Sequence, residues 1–247
     1  MLHARTRRAA GPTALLFALG VGLHLPVPAD AQISGPVYTA GWADAVAVLA
    51  GGGLVLASTQ VTPPAATCAP CDPATLPGID RWVVGANSSA ARTGSDILVF
   101  GVIGGGALAS VTGMDRDRAR GNAAVFANAV VWSTAASEWL KLAFHRERPV
   151  LYTADGAAAA EDPDNRQSMP SGHATVAFAS ATAYAVMAAR QHLPHAARNT
   201  ALLYVGATGV AALRVAGGKH FPTDVLAGAA LGSAVGWLTA RLHPTTP

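Results

Sequence analysis

Six apolar segments, each long enough to make a helix of several turns, recur along this 247-residue chain at residues 42–58, 96–112, 122–141, 172–190, 199–215 and 225–242. They are built largely of Ala, Leu, Val and Gly. None alternates apolar with polar residues at period two, so the pattern predicts helices and not strands. The breaks between most of them are short, which leaves an all-α helical bundle as the expected fold. No segment repeats at a fixed period, and a solenoid is excluded on that ground. Charged side chains make up 13% of the chain, against roughly 25% in an ordinary soluble domain. That deficit excludes a disordered tail, a coiled coil and a highly charged nucleic-acid binder. The formal net charge of +3 is mild and suits an anionic substrate or a membrane surface. Together these features predict five or six membrane-spanning helices.

Residues 1–31 carry Arg5, Arg7 and Arg8 with no acid, then an apolar run over 14–27, then Ala29-Asp30-Ala31. This is the pattern of a signal peptide, with an uncleaved first membrane helix as the alternative. Residues 32–93 are expected to form a periplasmic N-terminal segment, its polar loop at 59–93 holding one short element near 80–84. Residues 94–242 form the expected helical domain. Placing Arg116, Arg118, Arg120, Arg190, Arg198 and Arg241 on the cytoplasmic side leaves the loops after Lys141 and Val215 outside. That arrangement requires 42–58 not to cross. Asp44 and Gly51-Gly52-Gly53 shorten its uncharged run, so it is expected to lie on the membrane or against the outer domain. The expected location is an inner membrane with a periplasmic active site, a soluble periplasmic bundle being the alternative.

The two cysteines, Cys68 and Cys71, sit in Cys-Ala-Pro-Cys between Pro-rich loop residues. In an exported protein this reads as a structural disulfide, since a thioredoxin-like redox pair needs a strand–helix setting. The acidic stretch 153–169, with Asp155, Glu161, Asp162 and Asp164, reads most simply as a solvated loop.

Three clusters carry chemistry. In Lys141-Leu-Ala-Phe-His-Arg-Glu-Arg148-Pro149, two cations seven apart on a helix would face one way, unless they are only solvated charges at a helix end. In Pro170-Ser171-Gly172-His173, Ser is a natural N-cap, and the free N–H groups of a first helical turn bind anions. There Gly172 permits close backbone approach and His173 can exchange a proton. Between the last two apolar segments lie Arg214, His220 and Asp224. The four-residue spacing allows the carboxylate to hold one imidazole nitrogen and leave the other free. A loop His beside a dipole-stabilised helix-start Asp is the plainer reading. The topology puts all three clusters on one side of the membrane, which the plain readings do not require.

The combination K-x6-RP, PSGH and R-x5-H-x3-D resembles the signature of the type-2 phosphatidic acid phosphatase superfamily. That superfamily includes membrane lipid phosphatases, bacterial non-specific acid phosphatases and vanadium haloperoxidases. The resemblance runs over about 96–242 and departs at Leu213, where the family usually has Ser, which puts a supporting hydrogen bond in doubt and leaves the residues that would touch phosphate intact. It implies His220 as the nucleophile forming a phosphohistidine, Asp224 as its orienting group, and His173 as the proton donor and later base. Lys141, Arg148, Ser171, Gly172 and Arg214 would bind the phosphoryl oxygens. Three cations and a helix N-terminus can stabilise the charge of phosphoryl transfer without a metal, so no metal or cofactor is expected. The implied activity is hydrolysis of a phosphate monoester or pyrophosphate on a lipid, with the membrane as partner and no nucleic acid. A soluble periplasmic acid phosphatase is the alternative, and a vanadium haloperoxidase a more distant one.

Overall fold

In the computed structural model, residues 33 and 35–246 are described, and the expected signal peptide or first membrane helix at 1–31 lies outside them. The chain runs through the long helices α1 (Trp42–Ser58), α3 (Ser89–Val111), α4 (Arg116–Phe144), α6 (Gly172–Gln191), α7 (Ala196–Ala216) and α8 (Pro222–Leu242). Two one-turn helices, α2 (Gly78–Arg81) and α5 (Gly156–Ala159), sit in the connecting loops. A two-residue antiparallel pair, β1 (Val37–Tyr38) with β2 (Thr245–Thr246), ties the two ends of the described chain together. The architecture is all-α.

Two helices begin well before their apolar segments, and capping explains where. Ser88 accepts the Ala91 N–H at the start of α3, and Asp115 accepts the Arg118 N–H at the start of α4. The first two turns of α3 are therefore polar, and they carry Ser95 and Asp96 into the site described below.

Helix α6 is the centre of the bundle and packs against α3, α4, α7 and α8. Its Ala174, Ala177 and Ala181 are fully buried, so neighbouring helices approach closely. Helix α8 meets it with glycine every fourth residue. A Cβ on Gly232 would run into the Thr175 carbonyl, and one on Gly228 would lie 2.6 Å from the Ser171 carbonyl. This close seam brings the starts of α6 and α8 together, where the Ser171 N–H donates to the Asp224 carbonyl at 3.0 Å.

Among the described residues, two helices, α3 and α8, are long and apolar enough to cross a membrane. The expectation of five or six spans is thereby overturned. Alanine and glycine made the other segments look apolar without giving them the hydropathy of a span. Helix α1 has only 17 residues, α4 carries Glu138, Lys141 and buried Asn122 and Asn128, and α6 is the buried core helix. Helix α1 packs along α4 and turns Trp42, Leu49 and Leu56, each seven residues from the next, outward.

Candidate active site

The end of α4 builds the first part of the site. Lys141 lies in its last turn, and the helix stops at Phe144 because His145 takes a left-handed conformation with φ 47°. Arg148 is therefore extended and does not sit two turns along the same helix, contrary to the expected geometry. Pro149 disfavours the α region for the residue before it. The two cations reach the same site by a sharp turn instead.

The acidic loop is the second surprise. Its backbone pairs with the turn: the Arg148 N–H donates to the Asn165 carbonyl and the Ser168 N–H to the Arg146 carbonyl, both at 2.8 Å. Asp164 then accepts from Arg148 Nη2 at 2.6 Å. What read as a solvated loop covers the site and supplies two of its groups, Asp164 and Ser168.

His220 is 2% exposed and hydrogen-bonded through Nδ1 to the Ser168 carbonyl at 2.8 Å. A carbonyl only accepts, so Nδ1 carries the hydrogen and Nε2 the lone pair. Asp224 does not hold the ring directly, because its Oδ2 stands 3.8 Å from Nδ1. That oxygen instead accepts the Phe221 N–H at 2.8 Å and the Ser168 hydroxyl at 2.6 Å. Asp224 thus caps the start of α8 and fixes the residue that orients the imidazole. Burial, with Arg148 and Arg214 nearby, pushes the His220 pKa down to about 3 against the opposing pull of Asp224. The ring is neutral at pH 7.

His173, in the first turn of α6, meets Asp96 Oδ1 through Nε2 at 3.0 Å. Burial and then Arg214 push its pKa down to about 4, with Asp96 opposing. Arg214 reaches the same Asp96 oxygen at 3.2 Å and the Ser95 hydroxyl at 3.3 Å. That hydroxyl, from α3, gives Arg214 an acceptor that the Leu213 side chain does not have. Burial first, then Arg148, lower the Arg214 pKa to about 10. Lys141 pairs with Glu138 at 2.6 Å. A Cβ added at Gly172 would lie 3.2 Å from Lys141 Nζ, which places the cation against the start of α6.

Among the described residues, several strong donors here have no protein partner. Arg148 Nε and Nη1, Arg214 Nε and Ser171 Oγ are buried and unpaired. Ser171 stands at the N-cap but makes no capping bond. Unpaired buried donors of this kind are rare in a finished fold, and an anion with several acceptor oxygens satisfies them together. Each of the three cations also has one carboxylate, Glu138, Asp164 or Asp96, as its counter-charge.

Cys68 and Cys71 are joined in a disulfide. Their loop rests on the turn after α4: Thr67 donates twice to Glu147, and the Cys71 N–H donates to the Leu151 carbonyl at 2.8 Å. Below it, Arg146 bridges Asp80 and Asp224. Burial works against the Arg146 charge, yet the two carboxylates outweigh it and raise its pKa. Sequence reasoning passed over Glu138, Ser168, Ser95, Asp96, Asp80 and Arg146. Arg146 lay inside the first quoted cluster, and Asp80 in the short element expected near 80–84.

A family model described as the PAP2 superfamily matches residues 122–247. That stretch contains Lys141, Arg148, Ser171, Gly172, His173, Arg214, His220 and Asp224, and excludes Asp80, Ser95 and Asp96. No curated protein and no solved structure matches the chain.

Proposed function

The chain belongs to the PAP2 superfamily, and from that membership we propose that it is a phosphatase acting on a lipid phosphate or pyrophosphate through a phosphohistidine on His220. The observation that carries the reading is the buried, neutral His220 with Nε2 free, set among unpaired donors of Arg148, Arg214 and Ser171.

In the first step, the Nε2 lone pair attacks phosphorus and the bond from phosphorus to the leaving oxygen breaks. Protonated His173 gives that oxygen its proton. Lys141, Arg148, Arg214, Ser171 and the N–H groups at Gly172 hold the three equatorial oxygens, where the charge accumulates. In the second step, neutral His173 takes a proton from water, the water oxygen attacks phosphorus, and the N–P bond breaks to release phosphate. A bound phosphate dianion beside His173 offsets the cations that depress its pKa, which lets it carry the proton when substrate is present. Apart from water, these steps use only side chains and backbone N–H groups of this chain, and hydrolysis is expected to be metal-independent.

The lipid assignment rests on an apolar groove of about 260 Å³ that begins at Gly172 and His173 and runs past Val99, Phe100, Ile103 and Val130. At Val130 and Thr134 it meets an apolar trough along α1. A phosphate seated among the cations would direct an attached hydrocarbon chain along this track. The two helices apolar enough to span a membrane, α3 and α8, are compatible with membrane association, and the site is proposed to face the periplasm from an inner membrane.

The test is phosphate release in EDTA, comparing long-chain lipid phosphates and pyrophosphates with p-nitrophenyl phosphate. Preference for the lipids supports the proposal. Equal or better turnover of the soluble ester indicates a broad periplasmic acid phosphatase, and loss in EDTA with rescue by a divalent cation overturns metal independence. Silence on every ester, with vanadate-dependent halide oxidation, indicates a haloperoxidase.

A further inference from the structure

We propose that Asp80 and Arg146, neither of which touches the phosphate, are positioning residues for the phosphorylation of His220; this rests on the phosphatase reading above. Arg146 Nη1 donates to Asp224 Oδ1 at 2.5 Å and to the Thr223 hydroxyl at 2.6 Å, while Nη2 donates to Asp80 Oδ2 at 2.8 Å. Asp80 in turn accepts the Thr223 N–H at 3.1 Å and its hydroxyl at 2.6 Å. The guanidinium lies 4.5 Å from the centre of the Phe221 ring. Asp80 and Asp224 are both 0% exposed. A connected path therefore runs from Asp80 through Arg146, Asp224 and the Ser168 hydroxyl and carbonyl to His220 Nδ1.

Two buried carboxylates share one guanidinium, so the trio carries one net negative charge. Attack by Nε2 leaves an imidazole substituted on both nitrogens and positively charged. The trio supplies the counter-charge in a setting of low dielectric. If Asp80 were neutral, Arg146 would belong to Asp224 alone and the negative charge felt by the ring would be cancelled. Asp80 thus acts on the step that charges His220. Phosphate binding falls mainly to Lys141, Arg148 and Arg214, to which, among the described residues, no hydrogen bond from the trio runs; its one link to the anion site is the Ser171 N–H on the Asp224 carbonyl. Asp80 lies 42 residues ahead of the family match, which starts at residue 122, so the N-terminal segment contributes to the site.

The test is Asp80→Asn, which keeps the shape and removes the charge. Expected is a fall in kcat of about tenfold or more, with KM for p-nitrophenyl phosphate and Ki for inorganic phosphate within about twofold of wild type. Inhibition by vanadate, a mimic of five-coordinate phosphorus, is expected to weaken by about the same factor as kcat. Asp80→Asn with kcat within about twofold of wild type overturns the proposal, as does an equal loss in kcat and in phosphate affinity. Should Asp80→Asn fail to fold, Arg146→Lys decides: a point charge cannot bridge both carboxylates as a planar fork does, so the same split is expected and an unchanged kcat refutes it. A wild type silent on every ester overturns the phosphatase reading itself, whereas an active wild type indistinguishable from Asp80→Asn overturns this inference alone.

Discussion

Replacing Arg148 with methionine separates a residue kept for binding an anion from one kept for holding the fold. The side chain is 4% exposed, and two of its nitrogens, Nε and Nη1, have no partner among the described residues. Burial pushes its pKa down, which marks the charge as destabilising to the protein without substrate. Asp164, its ion-pair partner, has a side chain 54% exposed and returns to water when the arginine is lost. Each unpaired buried donor costs about 1–3 kcal/mol, and a cavity of a few atoms gives part of that back. Arg148→Met is therefore expected to leave the Tm unchanged or to raise it, by up to about 2–4 °C for each kcal/mol recovered. Activity moves the other way. Two charge-assisted hydrogen bonds to a phosphoryl group, at about 1.5–3 kcal/mol each, predict a loss in kcat/KM of about 10²–10⁴. Differential scanning calorimetry and steady-state kinetics on one preparation measure both. A Tm lowered by more than about 5 °C, with kcat/KM within about tenfold of wild type, would assign Arg148 to the fold and refute the reasoning.

Two other predictions follow from the site's charges. Asp164→Asn removes the half-exposed counter-charge of Arg148 and is expected to tighten inhibition by inorganic phosphate up to about fivefold, in line with an exposed pair worth at most about 1 kcal/mol; unchanged or weaker inhibition contradicts it. His220 is held neutral, with a pKa of about 3 against 6.5 in the unfolded chain, so its stabilising preference for the neutral form is complete above pH 6.5. As pH falls below 6.5 the unfolded chain takes up a proton that the folded chain refuses, and stability declines by about 1.4 kcal/mol per pH unit from this group. His173, with its pKa of about 4, acts in the same direction. Urea denaturation between pH 7 and 5 measures this, and a flat stability there contradicts it.

The part of the site readable in the sequence is the part held together by short spacing. Ser171, Gly172 and His173 start α6, while Arg214, His220 and Asp224 span one turn between two helices, so local pattern is enough to find them. The supporting residues have no such mark. Asp80 reaches Asp224 across 144 residues and Asp96 reaches His173 across 77, and nothing in one sequence links such pairs. Ser95 gives Arg214 a hydroxyl acceptor that Leu213 lacks, a contact visible only when α3 is seen packed on α7. The helices were legible from their apolar content. The number of spans was not, because alanine and glycine serve close packing around α6 as readily as they serve a bilayer. The turn at His145 was hidden as well, since a left-handed histidine has no local sequence signal comparable to glycine.

Rapid acid-free quenching during turnover, followed by peptide mass spectrometry, reads whether His220 becomes covalently phosphorylated. Expected is a phosphoryl group on the peptide containing His220, labile to acid, absent from His220→Ala and, with p-nitrophenyl phosphate, whose leaving group departs without a proton, accumulating in a His173→Ala variant that cannot activate water. Turnover by a folded His220→Ala at near wild-type rate, or phosphate release with no phosphorylated His220 at any time point, would contradict it.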